Sequence, residues 1–158
     1  IAMGFVLRLL AGSFAYDVTL EVWIVIMTFL LALFLALAKR RDDVLILNKS
    51  GNKMRKSIDG YNLGLIDGSM LIMSTVVIVA YLQYTTSQVI IEKFDNENLY
   101  LTTLFVIFGV MRYLQMTFVE KNSGSPTEII FKDKTMQINL LLWFLSFIGI
   151  IYFKQIFL

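Results

Sequence analysis

Long apolar stretches alternate with short polar ones along this chain, and the apolar stretches set its architecture. A helix crossing the roughly 30 Å hydrocarbon core needs about 20 mostly apolar residues, each rising about 1.5 Å. Residues 20–38, 99–118 and 136–156 meet that requirement. Residues 63–84 carry Asp67 near their start and are otherwise apolar through Val76-Val77-Ile78-Val79-Ala80. Residues 1–15 are apolar but too short to span. They also lack the basic start and small-residue cleavage site of a signal peptide, and read as the tail of a helix. The pattern predicts an all-α integral membrane protein, a transmembrane helix bundle in one domain over 1–158, with polar loops at 39–62 and 119–135. The single proline, Pro126, lies in the second of these loops, so no sharp proline kink is expected within a helix.

Composition sharpens this picture. The 158 residues are 58% hydrophobic and 16% charged, with mean hydropathy +0.73. Soluble domains are typically about 45–50% apolar and about 25% charged, so an ordinary soluble enzyme is excluded. Disorder requires low hydrophobicity, and a net charge of +2 gives nucleic acid no basic surface. Without cysteine or histidine, thiolate and imidazole metal sites, thiol nucleophiles and imidazole bases are absent. Chemistry is left to carboxylates, basic groups, hydroxyls and bound ions.

The near-neutral total hides an asymmetry. Lys39, Arg40, Arg41, Lys49, Lys53, Arg55 and Lys56 fall in the first polar loop and Lys121, Lys132 and Lys134 in the second, ten of the fourteen basic residues. Cytoplasmic loops are enriched in Lys and Arg, so both loops are expected in the cytosol and the C-terminus outside.

Charges inside membrane segments are costly and read as functional by default. Arg8, Asp67 and Arg112 qualify. Asp67 and Arg112 both lie toward the cytosolic ends of their helices, and the structural alternative is that they pair with each other to hold two helices together. The run Lys39-Arg40-Arg41-Asp42-Asp43 reads either as a stop signal or as a phosphate site with one metal-binding carboxylate. Lys39 and Asp43 share a helix face, and magnesium favours carboxylate and phosphate oxygen. Arg55 and Lys56 extend a phosphate-binding floor or hold lipid headgroups. Ser125-Pro126-Thr127-Glu128 has capping-box spacing and predicts a short surface helix through Phe131.

Taken together, Leu33-Phe34-Leu35-Ala36-Leu37-Ala38-Lys39-Arg40-Arg41, Arg55, Tyr61, Leu65-Ile66-Asp67, Arg112-Tyr113, Pro126-Thr127-Glu128, Asp133 and Trp143 resemble the UbiA superfamily of intramembrane prenyltransferases. The likeness is strongest to its decaprenyl-phosphate phosphoribosyltransferase branch, and Arg8 with Ala11-Gly12 fits that branch too. The resemblance implies a nine-helix bundle with a cavity open to the cytosol, of which the helices here are the last five. It implies a transferase in a bacterial inner membrane that moves phosphoribose from phosphoribosyl pyrophosphate to a polyprenyl phosphate, releasing pyrophosphate. Asp67 is then catalytic, Arg8, Lys39, Arg40, Arg41, Arg55, Tyr61 and Arg112 bind phosphate or substrate, and Asp43 binds Mg2+.

Three positions depart from the branch: Asp43 stands for its usual Glu, Ala38 for Gly and Ser125 for Asp. The superfamily's first acidic motif has no counterpart, so these 158 residues alone are expected to be inactive. Two other functions compete. One is a UbiA-type enzyme joining a prenyl diphosphate to an aromatic acceptor, disfavoured by the few aspartates between residues 39 and 62. The other is part of a transporter or structural subunit, disfavoured because no internal repeat or broken helix is visible.

Overall fold

A computed structural model describes residues 2–17, 20, 22–50, 60, 62–120 and 131–157. All regular structure among them is helical. Helix α1 covers Ala2–Tyr16, α2 Val22–Ser50, α3 Leu63–Thr85, α4 Gln88–Phe94, α5 Thr103–Phe118 and α6 Lys134–Phe157, with a 3-10 segment at Asn98–Thr102. Among the described residues four stretches are long and apolar enough to cross a membrane: Val22–Leu47, Leu63–Thr85, Asn98–Phe118 and Lys134–Tyr152. The chain is an all-α integral membrane protein.

Helix α2 corrects the expected loop at 39–62. Its 29 residues measure about 43 Å at 1.5 Å each, well beyond the roughly 30 Å of hydrocarbon, so its basic end projects past the core. The helix continues because neither Gly nor Pro occurs from Val22 to Ser50, and because its buried stripe continues. Phe34, Ala38, Arg41 and Val44 recur at helical spacing, and all are buried. The basic run therefore lies on a rigid helix face.

The connection after α3 is also more structured than the sequence suggested. Helix α4 and the 3-10 segment fold over the outer end, the end away from the basic run, and bury Ile90, Leu99 and Thr102. Asn96 Nδ2 donates to the Ile150 carbonyl at 2.7 Å, tying this cap to α6. At the inner end, Asp133 caps α6 by accepting from the Met136 N–H at 2.7 Å. The expected surface helix from Ser125 lies mostly outside the described residues.

The helices form an arc. Helix α2 packs on α1 and α3, α3 on α5, and α5 on α6. The inner half is filled by Phe34, Ala38, Val44, Ile66, Met70, Tyr113, Leu114 and Met116. Helix α5 approaches α6 closely at Gly109, where a Cβ would stand 3.0 Å from Asn139 Nδ2. That amide in turn donates to the Phe105 carbonyl at 2.9 Å. Small residues permit such approaches between membrane helices.

Candidate functional site

Arg41 is the centre of the inner end. Its extended side chain leaves α2 and is only 7% exposed. Nε donates to Asp67 Oδ1 on α3 at 2.7 Å, and Nη1 donates to the Thr117 carbonyl on α5 at 2.7 Å. The guanidinium also lies 5.1 Å from the centre of the Phe118 ring. One residue thus joins three helices. Its partner Asp67 is 34% exposed, so the carboxylate is fixed on one side and open on the other. One turn of α2 carries the neighbouring charges. Arg40 Nη1 donates to Asp43 Oδ2 at 2.8 Å, while Lys39 is exposed.

A second cluster closes the seam between α5 and α6. Arg112 Nε and Nη2 grip Asp133 at 3.3 and 2.6 Å, and Nη1 donates to Gln115 Oε1 at 3.1 Å and Glu120 Oε1 at 2.8 Å. The Arg112 guanidinium holds the Asp133 carboxyl below the usual carboxylate range, and the Met136 N–H reinforces that effect. The expected alternative pairing of Asp67 with Arg112 does not form, because each has a nearer partner on another helix. Arg112 spends most of its donors on these contacts, which makes it a positioning residue for α6 rather than an open phosphate ligand.

Between the helices, on the membrane side of the Arg41 cluster, lies an apolar cavity of about 410 Å³. Phe34, Leu35, Tyr113 and Met136 line its inner end, and Ile24, Tyr81, Phe105 and Trp143 its outer end. A relay of hydrogen bonds crosses the outer end. Trp143 Nε1 donates to Tyr81 Oη at 2.9 Å, Tyr81 Oη and Thr102 Oγ1 are 2.8 Å apart, and Thr102 donates to the Leu99 carbonyl at 2.6 Å. At the inner end the Tyr113 ring packs against Phe34 with centroids 5.2 Å apart. Its buried hydroxyl makes no hydrogen bond among the described residues.

An ion cluster at the membrane surface, backed by an apolar cavity within the bilayer, suits a molecule with a charged head and a hydrocarbon tail. The chain resembles two decaprenyl-phosphate phosphoribosyltransferases. One, from Mycolicibacterium smegmatis, is 26% identical over 160 residues, covering 98% of this chain and 50% of the relative. The other, from Corynebacterium glutamicum, is 26% identical over 161 residues, covering 99% of this chain and 47% of the relative. The chain therefore spans about half the length of these relatives. No family model and no solved structure matches.

Set beside these phosphoribosyltransferases, the expected site residues divide. Lys39, Arg40, Arg41, Asp43 and Asp67 are brought to one end of α2 and α3. Arg112 sits at the same end but in its own cluster with Asp133. Arg8 is exposed on α1, its guanidinium 5.8 Å from the centre of the Phe5 ring. Arg55 and Tyr61 lie outside the described residues. The carboxylates paired with the basic run are those of Asp43 and Asp67. Asp43 is held by Arg40 and Asp67 by Arg41, and no three acidic side chains converge among the described residues.

Sequence reasoning missed Tyr81, Thr102 and Asn139. Polar side chains within otherwise apolar spans were the available signal, since buried polar groups in a membrane need partners.

Proposed function

We propose that the chain is part of a transferase acting on a polyprenyl phosphate, with phosphoribose from phosphoribosyl pyrophosphate as the transferred group. The observation that carries this reading is the Arg41 cluster together with the apolar cavity, whose inner lining at Phe34 lies about two turns of α2 from Arg41. The pair offers cationic groups toward the membrane surface and a hydrocarbon-lined space deeper between the helices.

In this reading a lipid phosphate oxygen attacks the anomeric carbon of the donor. The new carbon–oxygen bond forms as the bond to pyrophosphate breaks, and the electron pair leaves with the pyrophosphate. A phosphate monoester has a second pKa near 6, so the nucleophile is largely deprotonated at neutral pH and needs no strong base. Lys39 and Arg40, where α2 nears the membrane surface, stabilise the charge gathering on the leaving diphosphate. Arg41 fixes Asp67 so that its open side faces the reacting sugar, where a carboxylate stabilises positive charge developing at the anomeric carbon. The inner end is then cytosolic, in keeping with the basic residues gathered there.

The test uses membranes containing the protein made from its complete gene. Labelled phosphoribosyl pyrophosphate and decaprenyl phosphate should give labelled lipid, and Arg40→Ala and Asp67→Ala should each lower the rate at least tenfold. Wild-type rates in both variants would remove these residues from the site. Prenylation of an aromatic acid without phosphoribosyl transfer would replace the reading with a UbiA-type prenyltransferase.

A further inference from the structure

Of the three charges that stand in apolar sequence, Asp67 and Arg112 are matched at the inner end and Arg8 is not. Its guanidinium lies near the Phe5 ring and makes no hydrogen bond or ion pair among the described residues.

The depth of Arg8 follows from α2. Five residues separate Tyr16 from Val22, and α1 packs on α2, so α1 runs back alongside it with Tyr16 at the outer end. Arg8 lies eight residues from Tyr16, about 12 Å, whereas Arg41 lies nineteen residues from Val22, about 28 Å. Arg8 therefore sits near the middle of a hydrocarbon core of roughly 30 Å, about 16 Å short of the level of Arg41. An extended arginine side chain spans roughly 7 Å. It reaches neither membrane surface nor a phosphate held by Lys39 and Arg40.

A charge at that depth needs an opposite charge or a wet cavity. The twelve acidic residues of the chain all lie in loops or near the ends of spans, so none can meet Arg8 at mid-membrane. A second copy would bring the same twelve. The helix face around Arg8 is shaped for a close neighbour. Gly4 and Gly12 stand one turn to either side of it, a Cβ at either would meet nothing within 4 Å, and Ala11 and Ala15 continue the exposed face. Small residues of this kind let membrane helices approach closely. The chain spans about half the length of its relatives, and the other half is the source of such a helix.

We infer that Arg8 forms a mid-membrane ion pair with an Asp or Glu on a helix from the remaining part of the complete protein, seated against Gly4 and Gly12. Nothing in this pairing depends on which substrate the protein turns over.

Charge exchange in the product of the complete gene tests it, read as the yield of monodisperse protein in gel filtration of detergent-solubilised membranes. Arg8→Glu sets two carboxylates against each other and should lower that yield about tenfold or more. In that background, each Asp and Glu of the apolar segments outside these 158 residues is changed to Arg in turn. One exchange should restore at least half of the wild-type yield. Gly12→Leu keeps the charge but blocks the approach, so it should also lower the yield, and the same exchange should not rescue it. Rescue by no exchange, or a wild-type yield for Gly12→Leu, would overturn the pair. So would Arg8→Met with wild-type yield and thermal midpoint, and a loss of phosphoribosyl transfer in that folded variant would place Arg8 on substrate instead.

Discussion

Arg41 offers the most direct test of how the inner end is held together. Replacing it with alanine removes a 2.7 Å hydrogen bond to Asp67, a 2.7 Å hydrogen bond to the Thr117 carbonyl and the contact with Phe118. Hydrogen bonds involving a charged group contribute about 1.5–3 kcal/mol each, so the two together amount to about 3–6 kcal/mol. Asp67 is one-third exposed and regains water when its partner is lost, which places the expected cost at the low end, about 3 kcal/mol. For a chain of this size that is a fall in Tm of about 6–12 °C.

Thermal unfolding of the detergent-solubilised protein, followed by helical circular dichroism, measures it. Arg41→Lys keeps the charge but loses the planar fork that reaches two helices at once, so it should recover less than half of the loss. Asp67→Ala should cost less than Arg41→Ala, because the buried guanidinium keeps its bond to Thr117. The double variant should be clearly less destabilised than the sum of the two singles. Strict additivity, or a Tm for Arg41→Ala within about 2 °C of wild type, would refute Arg41 as the tie between α2, α3 and α5.

Other outcomes follow from the same contacts. Arg112 holds the Asp133 carboxyl below its ordinary value, so its contribution is complete above the unfolded pKa of about 3.9 and is lost as pH falls through the lower folded value. Unfolding midpoints should be flat from about pH 7 to 5 and fall below about pH 4, and Asp133→Asn should flatten that acid limb. Tyr81→Phe strands the Trp143 N–H, and membrane-buried side-chain hydrogen bonds average about 0.6 kcal/mol with a maximum near 1.7, so a loss within that range is expected in chemical unfolding. Gly109→Ala crowds the pinned Asn139 amide and should cost about 1 kcal/mol as mild overpacking. Gly68→Ala, where a Cβ meets nothing within 4 Å, should be neutral or slightly stabilising in the same assay because alanine is the better helix former.

The spans were legible because hydrocarbon leaves few choices. Twenty apolar residues with no water to satisfy their backbone must be helical, and α2, α3, α5 and α6 follow from that alone. Ends were less legible because they are decided by side chains rather than by hydropathy. The apolar pattern of α2 stops at Ala38, yet Arg41 and Val44 keep its buried stripe going to the inner surface. In a similar way α6 begins where Asp133 caps it, two residues before its apolar run.

Partner choice within the site was the hardest thing to read, for a related reason. Arg8, Asp67 and Arg112 stood out as charges in apolar sequence, and that signal identifies a cost without identifying what offsets it. Asp67 proved to be matched by Arg41, a residue the sequence grouped with exposed phosphate ligands, and Arg112 by Asp133 across the α5–α6 seam. The reading of the basic run changes accordingly. Of three consecutive cations, Arg41 turns inward to hold the scaffold, Arg40 is partly buried beside Asp43, and Lys39 faces water. Neighbours on a helix are about 100° apart, so one short run supplies both the frame of the site and its open charges. Alanine substitutions along it should therefore separate, with Arg41→Ala losing stability and Lys39→Ala losing activity at unchanged Tm.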